Sequence, residues 1–315
     1  MQLQTPVQIP LPDWHFGLGD RFLCIGSCFA ENLANLLSHH HLDIGLNPYG
    51  ITFNPLSLGQ QLRRLLAGEA PREEALFNQD GLFHHWQYHG RFSRVSGEQT
   101  LRGMEEAFRA GRDRLMNANN LVLTWGSAHY YLYRKDNLIV NNCHKVPGHL
   151  FSRNRASVEQ IIELWVPLVD ALLTENPQLR ITLTVSPVRY LRDGLVESNR
   201  SKAVLLLAAE ALTNTFPDRL YYFPAYEIQI DTLRDYRFYD RDMAHPTSQA
   251  IEYILDRFLE TMLRPEDHLD WHKLKNLILQ LDHRPLHPDL PGLPDRIRQI
   301  EEELGQLLTQ IGVGQ

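Results

Sequence analysis

The chain of 315 residues is long enough for one large α/β domain with additions, and no boundary in it requires two separate cores. A hydrophobic content of 43% with 22% charged residues is typical of a globular protein and argues against a disordered chain. The formal net charge of −7 argues against nucleic acid or an anionic membrane surface as the main partner.

The start of the sequence gives an expectation about location. The segment MQLQTPVQIPLPDW lacks the cationic and apolar regions of a secretory signal, and no apolar run approaches the length of a membrane span. The cysteines Cys24, Cys28 and Cys143 form no CxxC pair, which favours reduced thiols over a disulfide framework. We therefore expect a cytoplasmic protein with no membrane partner.

The first predicted elements are a strand and a helix that meet at a serine. A nearly continuous apolar run predicts a buried parallel strand over 21–25. Helical spacing of apolar residues then predicts a helix that carries Ala30, Leu33, Ala34 and Leu37. Ser27 lies between them, where unpaired backbone N–H groups and the helix dipole can stabilise an oxyanion. Ser27 is thus a candidate nucleophile; alternatively it only caps the helix, although Ala30 is not the Glu or Gln of a capping box.

Strand-like and helical segments alternate through the rest of the core. Further strands are predicted at 120–126, 179–186 and 220–223. Helices are predicted at 100–116, 157–173, 201–213 and 246–262. This alternation predicts a mostly parallel sheet with helices on both faces, a three-layer α/β/α sandwich of the flavodoxin-like kind.

Two insertions and a C-terminal extension depart from this pattern. Residues 78–98 are predicted to be extended, and residues 129–153 contain a predicted hairpin over 130–141 with its turn at Asp136-Asn137. After Arg264, a segment rich in proline and histidine leads to a predicted amphipathic helix at 295–311. We predict a catalytic domain at 1–264 and a helical extension at 265–315 that serves as a lid or joins copies of the chain into a homo-oligomer.

A second reactive motif precedes the last core helix. Asp242 and His245 are three residues apart on a predicted turn, a spacing that can bring the carboxylate to the imidazole Nδ1–H and leave Nε2 free to take a proton. Pro246 then suits the first position of the helix. Alternatively, Asp242 caps that helix and His245 is a surface residue. A doubly wound sheet can bring this turn and Ser27 to one edge.

Residues 26–30 spell GSCFA, and the chain resembles the GSCFA domain family, which is similar to SGNH and GDSL esterases and acyltransferases. Segments that match the recurring blocks of that family lie, in order, at 46–55, 122–128, 140–147, 186–189, 198–205 and 242–246. The resemblance covers about residues 20–260 and implies an SGNH-hydrolase-like fold. It also implies Ser27 as nucleophile, His245 as general base and later acid, and Asp242 as the partner that orients His245.

The resemblance also implies an oxyanion hole, with one donor missing. SGNH enzymes take its donors from the nucleophile's own N–H, a glycine after the second strand and an Asn after the third. Gly50 is the candidate glycine. The segment after the third strand begins at Gly126, and it has Ala128 at the position where the Asn is expected. Asn142 could return its side chain to the site and His144 could contact substrate; a structural turn explains both equally well.

Other reactive residue types are interpreted as structural. Cys28 and Cys143 are rival nucleophiles, but free cysteines are more often buried as small hydrophobic residues. The histidines at 84, 85, 89 and 39–41 lack a metal-ligand spacing, so we assign no metal and no cofactor and expect exposed helix ends. The basic residues Arg189, Arg192, Arg200 and Lys202 are interpreted as solvated charge, with binding of an anionic substrate group as the alternative.

The predicted function is hydrolysis of an acyl ester, on a small molecule or a glycan, through an acyl-enzyme on Ser27. Two alternatives stay open. One is transfer of the acyl group to a second alcohol at the same site, and the other is a binding module for a glycan or acylated ligand, in which the missing Asn marks weak or absent catalysis. Aromatic residues in the insertions, such as Trp86 and Tyr131, could stack on sugar rings, although packing within the loops is the simpler interpretation.

Overall fold

The computed structural model describes residues 5–284, 286–287 and 291–313. The strands of this part are β1 (Arg21–Gly26), β2 (Asp43–Leu46), β3 (Phe77–Gln79), β4 (Leu82–His84), β5 (Asn120–Trp125), β6 (His129–Tyr133), β7 (Leu138–Val140), β8 (Phe151–Arg155), β9 (Arg180–Val185) and β10 (Leu220–Phe223). The helices are α1 (Cys28–His39), α2 (Pro55–Ala67), α3 (Gly97–Asn117), α4 (Val158–Glu175), α5 (Gly194–Thr215), α6 (Ala225–Glu227), α7 (Ser248–Met262), α8 (His268–Asp282) and α9 (Leu293–Gln310).

Five parallel strands form the central sheet in the order β10-β9-β5-β1-β2. The chain adds β2 on one side of β1 and β5 on the other, so the direction of strand addition reverses between β1 and β5. In open α/β sheets, ligands bind outside the carboxyl ends of the strands at this switch point. The topology therefore singles out the residues that follow β1 and β5.

Helices cover both faces of this sheet because the strands are apolar on both sides. Leu23 and Ile25 of β1 belong to one core cluster, which also receives buried residues of α2, α3, α4 and α5. Phe22 and Cys24 belong to a second cluster, on the opposite face, which receives residues of α1, α7, α8 and α9. The predicted three-layer α/β/α fold with a mostly parallel sheet is thus confirmed.

The two predicted insertions form small antiparallel sheets. β3 pairs with β4 in the first, and β6 pairs with both β7 and β8 in the second. The hairpin predicted over 130–141 is confirmed as β6 and β7, with Asn137 at positive φ in its turn. β8 was not predicted, and neither were β2 and α2 in the core.

The C-terminal extension packs against the core. Trp271 of α8 and Leu307 of α9 are buried in the same cluster as Phe16, whose N–H donates to the Met262 carbonyl at 2.9 Å. The apolar side of α9 is thus occupied within the chain, and a contact with a second copy stays a prediction. Parts of the predicted segments, at 1–4, 285, 288–290 and 314–315, lie outside the described residues. None of the described helices has the length and apolar character to cross a membrane.

Candidate active site

Ser27 lies at the junction of β1 and α1. Its Oγ accepts a hydrogen bond from the Phe29 N–H at 3.3 Å, so Ser27 is the N-cap of α1, and its side chain is buried. A cap uses only a lone pair of the hydroxyl oxygen, and the hydroxyl proton stays available to a base. The capping role and a nucleophilic role are therefore compatible. The Ser27 N–H donates to the Thr124 carbonyl at 3.2 Å.

The loop after β2 is bound to this junction through Asn47. The buried Asn47 side chain accepts a hydrogen bond from the Gly26 N–H at 2.8 Å. Gly50 closes the turn at φ +80°, and its N–H donates to the Asn47 carbonyl at 2.8 Å. A Cβ at Gly50 would lie 2.3 Å from the Cβ of His89, so both the turn and the close approach require glycine. The N–H of Gly50 is used inside its own turn.

Gly126, directly after β5, lies against Ser27. A methyl group added at Gly126 would meet the Cβ of Ser27 at 3.3 Å and the Phe53 carbonyl oxygen at 3.2 Å. The N–H groups of Gly126 and Ser127 both donate to that same carbonyl oxygen, at 2.8 and 3.0 Å. Two backbone donors therefore converge on one oxygen beside Ser27, at the switch point of the sheet.

Asp242 and His245 form a tight pair on the loop before α7. The His245 Nδ1–H donates to one carboxylate oxygen of Asp242 at 2.5 Å, and the N–H groups of Ala244 and His245 donate to the other at 2.9 Å. These hydrogen bonds, led by that of the His245 N–H, lower the pKa of Asp242 to about 2. Asp242 is thus ionised at neutral pH, and its hydrogen bond favours the imidazole tautomer that carries its proton on Nδ1.

The pair lies outside the last core helix. Thr247 is the N-cap of α7, which begins at Ser248, so the prediction that Pro246 occupies the first helical position is wrong. The chain around the pair is held as a narrow loop, because Tyr239 and Pro246 form a β-bridge and the Asp240 N–H donates to the His245 carbonyl at 2.8 Å. This bridge, and not the helix, fixes where His245 lies.

Arg189 connects the loop of His245 to the carboxyl edge of the sheet. Arg189 follows β9, the neighbour of β5, and its N–H donates to the Ala244 carbonyl at 3.0 Å. Its guanidinium lies 3.8 Å from the centre of the Tyr239 ring, on the other arm of the same loop. Among the described residues, the hydrogen bond of the Ser27 side chain is to Phe29 and that of the His245 ring is to Asp242. A direct contact between Ser27 and His245 stays a prediction.

A cleft of about 520 Å³ opens beside Gly126, where Phe53 and Ser127 line it. The two insertions supply most of its wall, including the aromatic residues Tyr131 and Phe151. Ser27 is 1% exposed and does not line the cleft, whereas Phe53 and Ser127, on either side of the contact between Gly126 and Ser27, do. This cleft thus lies next to the predicted nucleophile and not around it.

The two predicted substrate contacts beyond the hairpin have different surroundings. Asn142 lines the cleft, and its carboxamide oxygen accepts the His144 N–H at 2.8 Å in a turn. His144 is buried behind this wall, where its ring lies 4.4 Å from that of His84 and its Nε2 is 3.0 Å from the His85 carbonyl. Burial lowers the pKa of His144 to about 4. Asn142 is therefore open to a ligand, whereas His144 supports the turn.

The cysteines are unsuited to replace Ser27 as nucleophile. Burial raises the pKa of Cys143, which lines the cleft, to about 11, and it also raises the pKa of Cys28. Thiols with raised pKa values are protonated at neutral pH and attack poorly. All three cysteines are free, as predicted.

The histidine-rich segments are more buried than the sequence predicts. His40, His84 and His85 are buried, which contradicts exposed helix ends for them, whereas His39 and His41 are exposed. His40 packs beside Trp271, with its Nδ1 2.8 Å from the Leu36 carbonyl. Within the described part of the chain, no three His, Cys, Asp or Glu side chains are grouped as metal ligands. The aromatic residue Trp86 stacks on Phe77 at 3.9 Å, so it anchors its own insertion.

Lys202 is buried, although the sequence predicts an exposed side chain. Arg192 and Arg200 are exposed, as predicted, but Lys202 is 2% exposed and donates to two backbone carbonyls at the edge of the sheet, those of Gly126 and Ser186. The interpretation of Lys202 as solvated charge is wrong, because the loops after β5 and β9 fold over it. The matching block at 198–205 was the one signal in the sequence.

Comparison with known proteins shows a family and distant structural likenesses. The GSCFA family matches this chain over residues 21–258, a range that includes Ser27, Asp242 and His245. A solved structure titled Clostridium thermocellum family 3 carbohydrate esterase is similar, with 12% identity and a TM-score of 0.34, over 82% of this chain and 98% of that chain. A comparison with curated proteins gives no match.

Proposed function

This chain belongs to the GSCFA family, and we propose that it is a serine hydrolase of the SGNH kind that cleaves acyl esters with Ser27, His245 and Asp242. The observation that carries the proposal is the 2.5 Å hydrogen bond between His245 Nδ1 and Asp242, on a loop bound to the carboxyl edge of the sheet where Ser27 lies. Such a pair is the base that a serine needs, because a free hydroxyl is a weak nucleophile.

The reaction proceeds in two halves. Ser27 Oγ attacks the ester carbonyl carbon while His245 Nε2 takes the hydroxyl proton, and the carbonyl oxygen becomes an oxyanion. The bond to the alcohol then breaks, the alcohol leaves with the proton from His245, and an acyl-enzyme stays on Ser27. Water repeats the same steps and releases the acid. Asp242 stays ionised throughout and stabilises the imidazolium.

The cleft beside Gly126 is the proposed substrate site. Tyr131, Tyr190 and Phe151 on its wall offer flat apolar surface, and Asn142 offers amide hydrogen bonds. Aromatic faces next to planar polar groups suit a sugar ring or another small alcohol that carries an acyl group. The cleft is open at 520 Å³, so a second alcohol could replace water in the second half, which would make the protein an acyltransferase.

One observation favours a binding module without catalysis as the second candidate. The N–H groups of Ser27, Gly50 and Gly126, the predicted backbone donors to an oxyanion, all donate to backbone carbonyls. If these bonds persist with ligand present, the protein binds an acylated ligand and does not turn it over. Equal affinity of wild type and Ser27→Ala for such a ligand, with no turnover by either, would support this candidate.

Labelling with a fluorophosphonate probe tests the proposed hydrolase. We expect the wild-type protein to be labelled on the peptide that contains Ser27, as read by tandem mass spectrometry. The Ser27→Ala variant should not be labelled, whereas Ser157→Ala, which removes the N-cap serine of α4 outside the cleft lining, should be labelled as wild type is. Labelling of Ser27→Ala at the wild-type rate would sink the proposal.

Asp242→Asn is expected to lower kcat for p-nitrophenyl acetate by about 10²–10⁴-fold, because the amide no longer fixes the tautomer of His245 or stabilises its cation. Because the pKa of Asp242 is lowered to about 2, added acid protonates its carboxylate only near that pH. Titration of Asp242 therefore should not reduce activity above about pH 4. Asp240→Asn, in the same loop, is the matched control and should stay within about threefold of wild type. An active Asp242→Asn would exclude the pair from the mechanism.

Gly126→Ala is expected to reduce activity more than stability. The added methyl would press on Ser27 Cβ at 3.3 Å and on the Phe53 carbonyl at 3.2 Å, so one of them must shift by a few tenths of an ångström. We expect kcat/KM to fall about 10–100-fold, with a loss of about 1–2 kcal/mol in the free energy of unfolding. Gly90→Ala is the control, since its nearest contact is at an ordinary 3.9 Å. Wild-type kinetics for Gly126→Ala would show that Gly126 does not border the reacting atoms.

A further inference from the structure

Lys202 is a buried amine at the base of the proposed site. It extends from α5, and its Nζ donates to the Gly126 carbonyl at 2.7 Å and to the Ser186 carbonyl at 2.6 Å. Its nearest ring is that of Tyr226, with Nζ 5.5 Å from the centre. Within the described part of the chain, no carboxylate forms an ion pair with it. Lys202 therefore satisfies backbone carbonyls and not an acidic partner.

Burying a lysine in this way is costly. Loss of hydration lowers the pKa of Lys202 to about 7, although the Cys28 thiol nearby acts in the opposite direction. An apolar side chain of similar length would fill the space without that cost. Both forms of the amine keep at least two N–H groups, so the two hydrogen bonds survive in either protonation state.

The planarity of the peptide bond gives these hydrogen bonds a consequence for the site. In a trans peptide the C=O and N–H point in opposite directions. The Gly126 carbonyl and the Ser127 N–H belong to one peptide group. Because Lys202 holds the carbonyl toward α5, the Ser127 N–H points away from α5. The preceding peptide group contains the Trp125 carbonyl and the Gly126 N–H. The Ser186 N–H donates to that carbonyl at 2.8 Å, and the hydrogen bond orients the Gly126 N–H in the opposite direction.

The two directed N–H groups meet at one oxygen. Gly126 and Ser127 donate to the Phe53 carbonyl oxygen at 2.8 and 3.0 Å, the distances expected for donors to an oxyanion. Gly126 also lies against Ser27 Cβ, which brings the oxygen position close to the nucleophile. Phe53 lines the cleft and is 42% exposed, so its loop borders the proposed substrate site.

We propose that Lys202 is a positioning residue that orients the backbone at 126–127 as the oxyanion hole, and that the Phe53 carbonyl oxygen stands where the substrate oxygen binds. The inference rests on the proposed hydrolase function. The Ser127 N–H then replaces the Asn amide donor that is missing at Ala128. The inference also requires the Phe53 carbonyl to move when substrate binds.

Kinetics of a Lys202→Met variant test this role. We expect kcat for p-nitrophenyl acetate to fall about 10²–10³-fold, the effect of one lost oxyanion donor, while KM changes less than about threefold. The unfolding temperature should change by only a few degrees, because relief of the buried amine offsets the loss of its hydrogen bonds to the Gly126 and Ser186 carbonyls. The matched control is Ser198→Ala, which removes from the same helix the hydroxyl oxygen that accepts the Tyr190 N–H but leaves the hydrogen bonds of the backbone at 126–127 in place. If Lys202→Met is insoluble, Lys202→Leu replaces it, because leucine also lacks a donor to the Gly126 carbonyl, and the same pattern in kcat and KM is expected.

A second measurement separates this proposal from the hydrolase function. The amide signal of Ser127, observed by NMR in protein labelled with ¹⁵N-serine, should shift in Lys202→Met and stay unchanged in Ser198→Ala. A wild-type protein that neither hydrolyses esters nor reacts with fluorophosphonate would sink the hydrolase function. An unchanged Ser127 amide in Lys202→Met, or a kcat equal to that of wild type, would overturn the role of Lys202 by itself.

Discussion

Ser27→Ala is expected to lower kcat/KM for p-nitrophenyl acetate by about 10³-fold or more, because no acyl-enzyme can form without the hydroxyl. The fold should survive. The lost cap bond to the Phe29 N–H is worth about 1 kcal/mol, a small part of the stability of a domain of this size. Steady-state hydrolysis and thermal unfolding of the same preparation measure both quantities.

Ser127→Ala is the matched control for that experiment. Ser127 Oγ lies on the cleft wall, 3.2 Å from Ser201 Oγ, and accepts the His129 N–H at 3.1 Å. Its loss should change kcat/KM by less than about tenfold, since only its backbone N–H is assigned a part in the reaction. If Ser127→Ala loses activity to the extent expected of Ser27→Ala, and Ser27→Ala stays active, the nucleophile has been misassigned.

Gly26→Ala is expected to have the largest effect on folding. A Cβ at Gly26 would lie 2.2 Å from the Thr124 carbonyl oxygen, and the backbone there has φ +149°, which side chains rarely adopt. β1 pairs with β2 and β5 on its two sides, so neither backbone can move away. We expect a loss of more than about 4 kcal/mol in the free energy of unfolding, or an insoluble protein.

Gly103→Ala provides the comparison, because a Cβ there meets nothing within 4 Å and α3 gains a better helix former. Its free energy of unfolding should rise by up to about 1 kcal/mol. Urea denaturation of both variants measures the difference. A Gly26→Ala protein with the wild-type midpoint would contradict the backbone geometry at the end of β1, and with it the position of Ser27.

The elements that could be predicted from the sequence are those with a strong local pattern. β1, β5 and β9 are buried on both faces, so apolar residues and threonine fill them and charged residues occur only at their first positions. β2 is a half-buried edge strand of four residues that contains a glycine, and β8 is largely polar; neither produces a readable pattern. α2 does carry a local start signal, with Asn54 as N-cap and Pro55 in the first turn.

For the site, the sequence predicts only those contacts whose residues lie close together in the chain. The Asp242–His245 hydrogen bond follows from two residues three apart on a turn, and the capping position of Ser27 follows from its place between strand and helix. The part played by Lys202 could not be predicted, because an isolated lysine in a helix is normally solvated. Its burial arises when the loops after β5 and β9 dock on α5, and no local pattern encodes that contact.

A crystal structure of the protein after reaction with a fluorophosphonate tests the central claim most directly. We expect phosphorus bonded to Ser27 Oγ, with His245 Nε2 within about 3.2 Å of that oxygen. A structure in which the imidazole faces away from the labelled serine, beyond the reach of any hydrogen bond, would contradict the account.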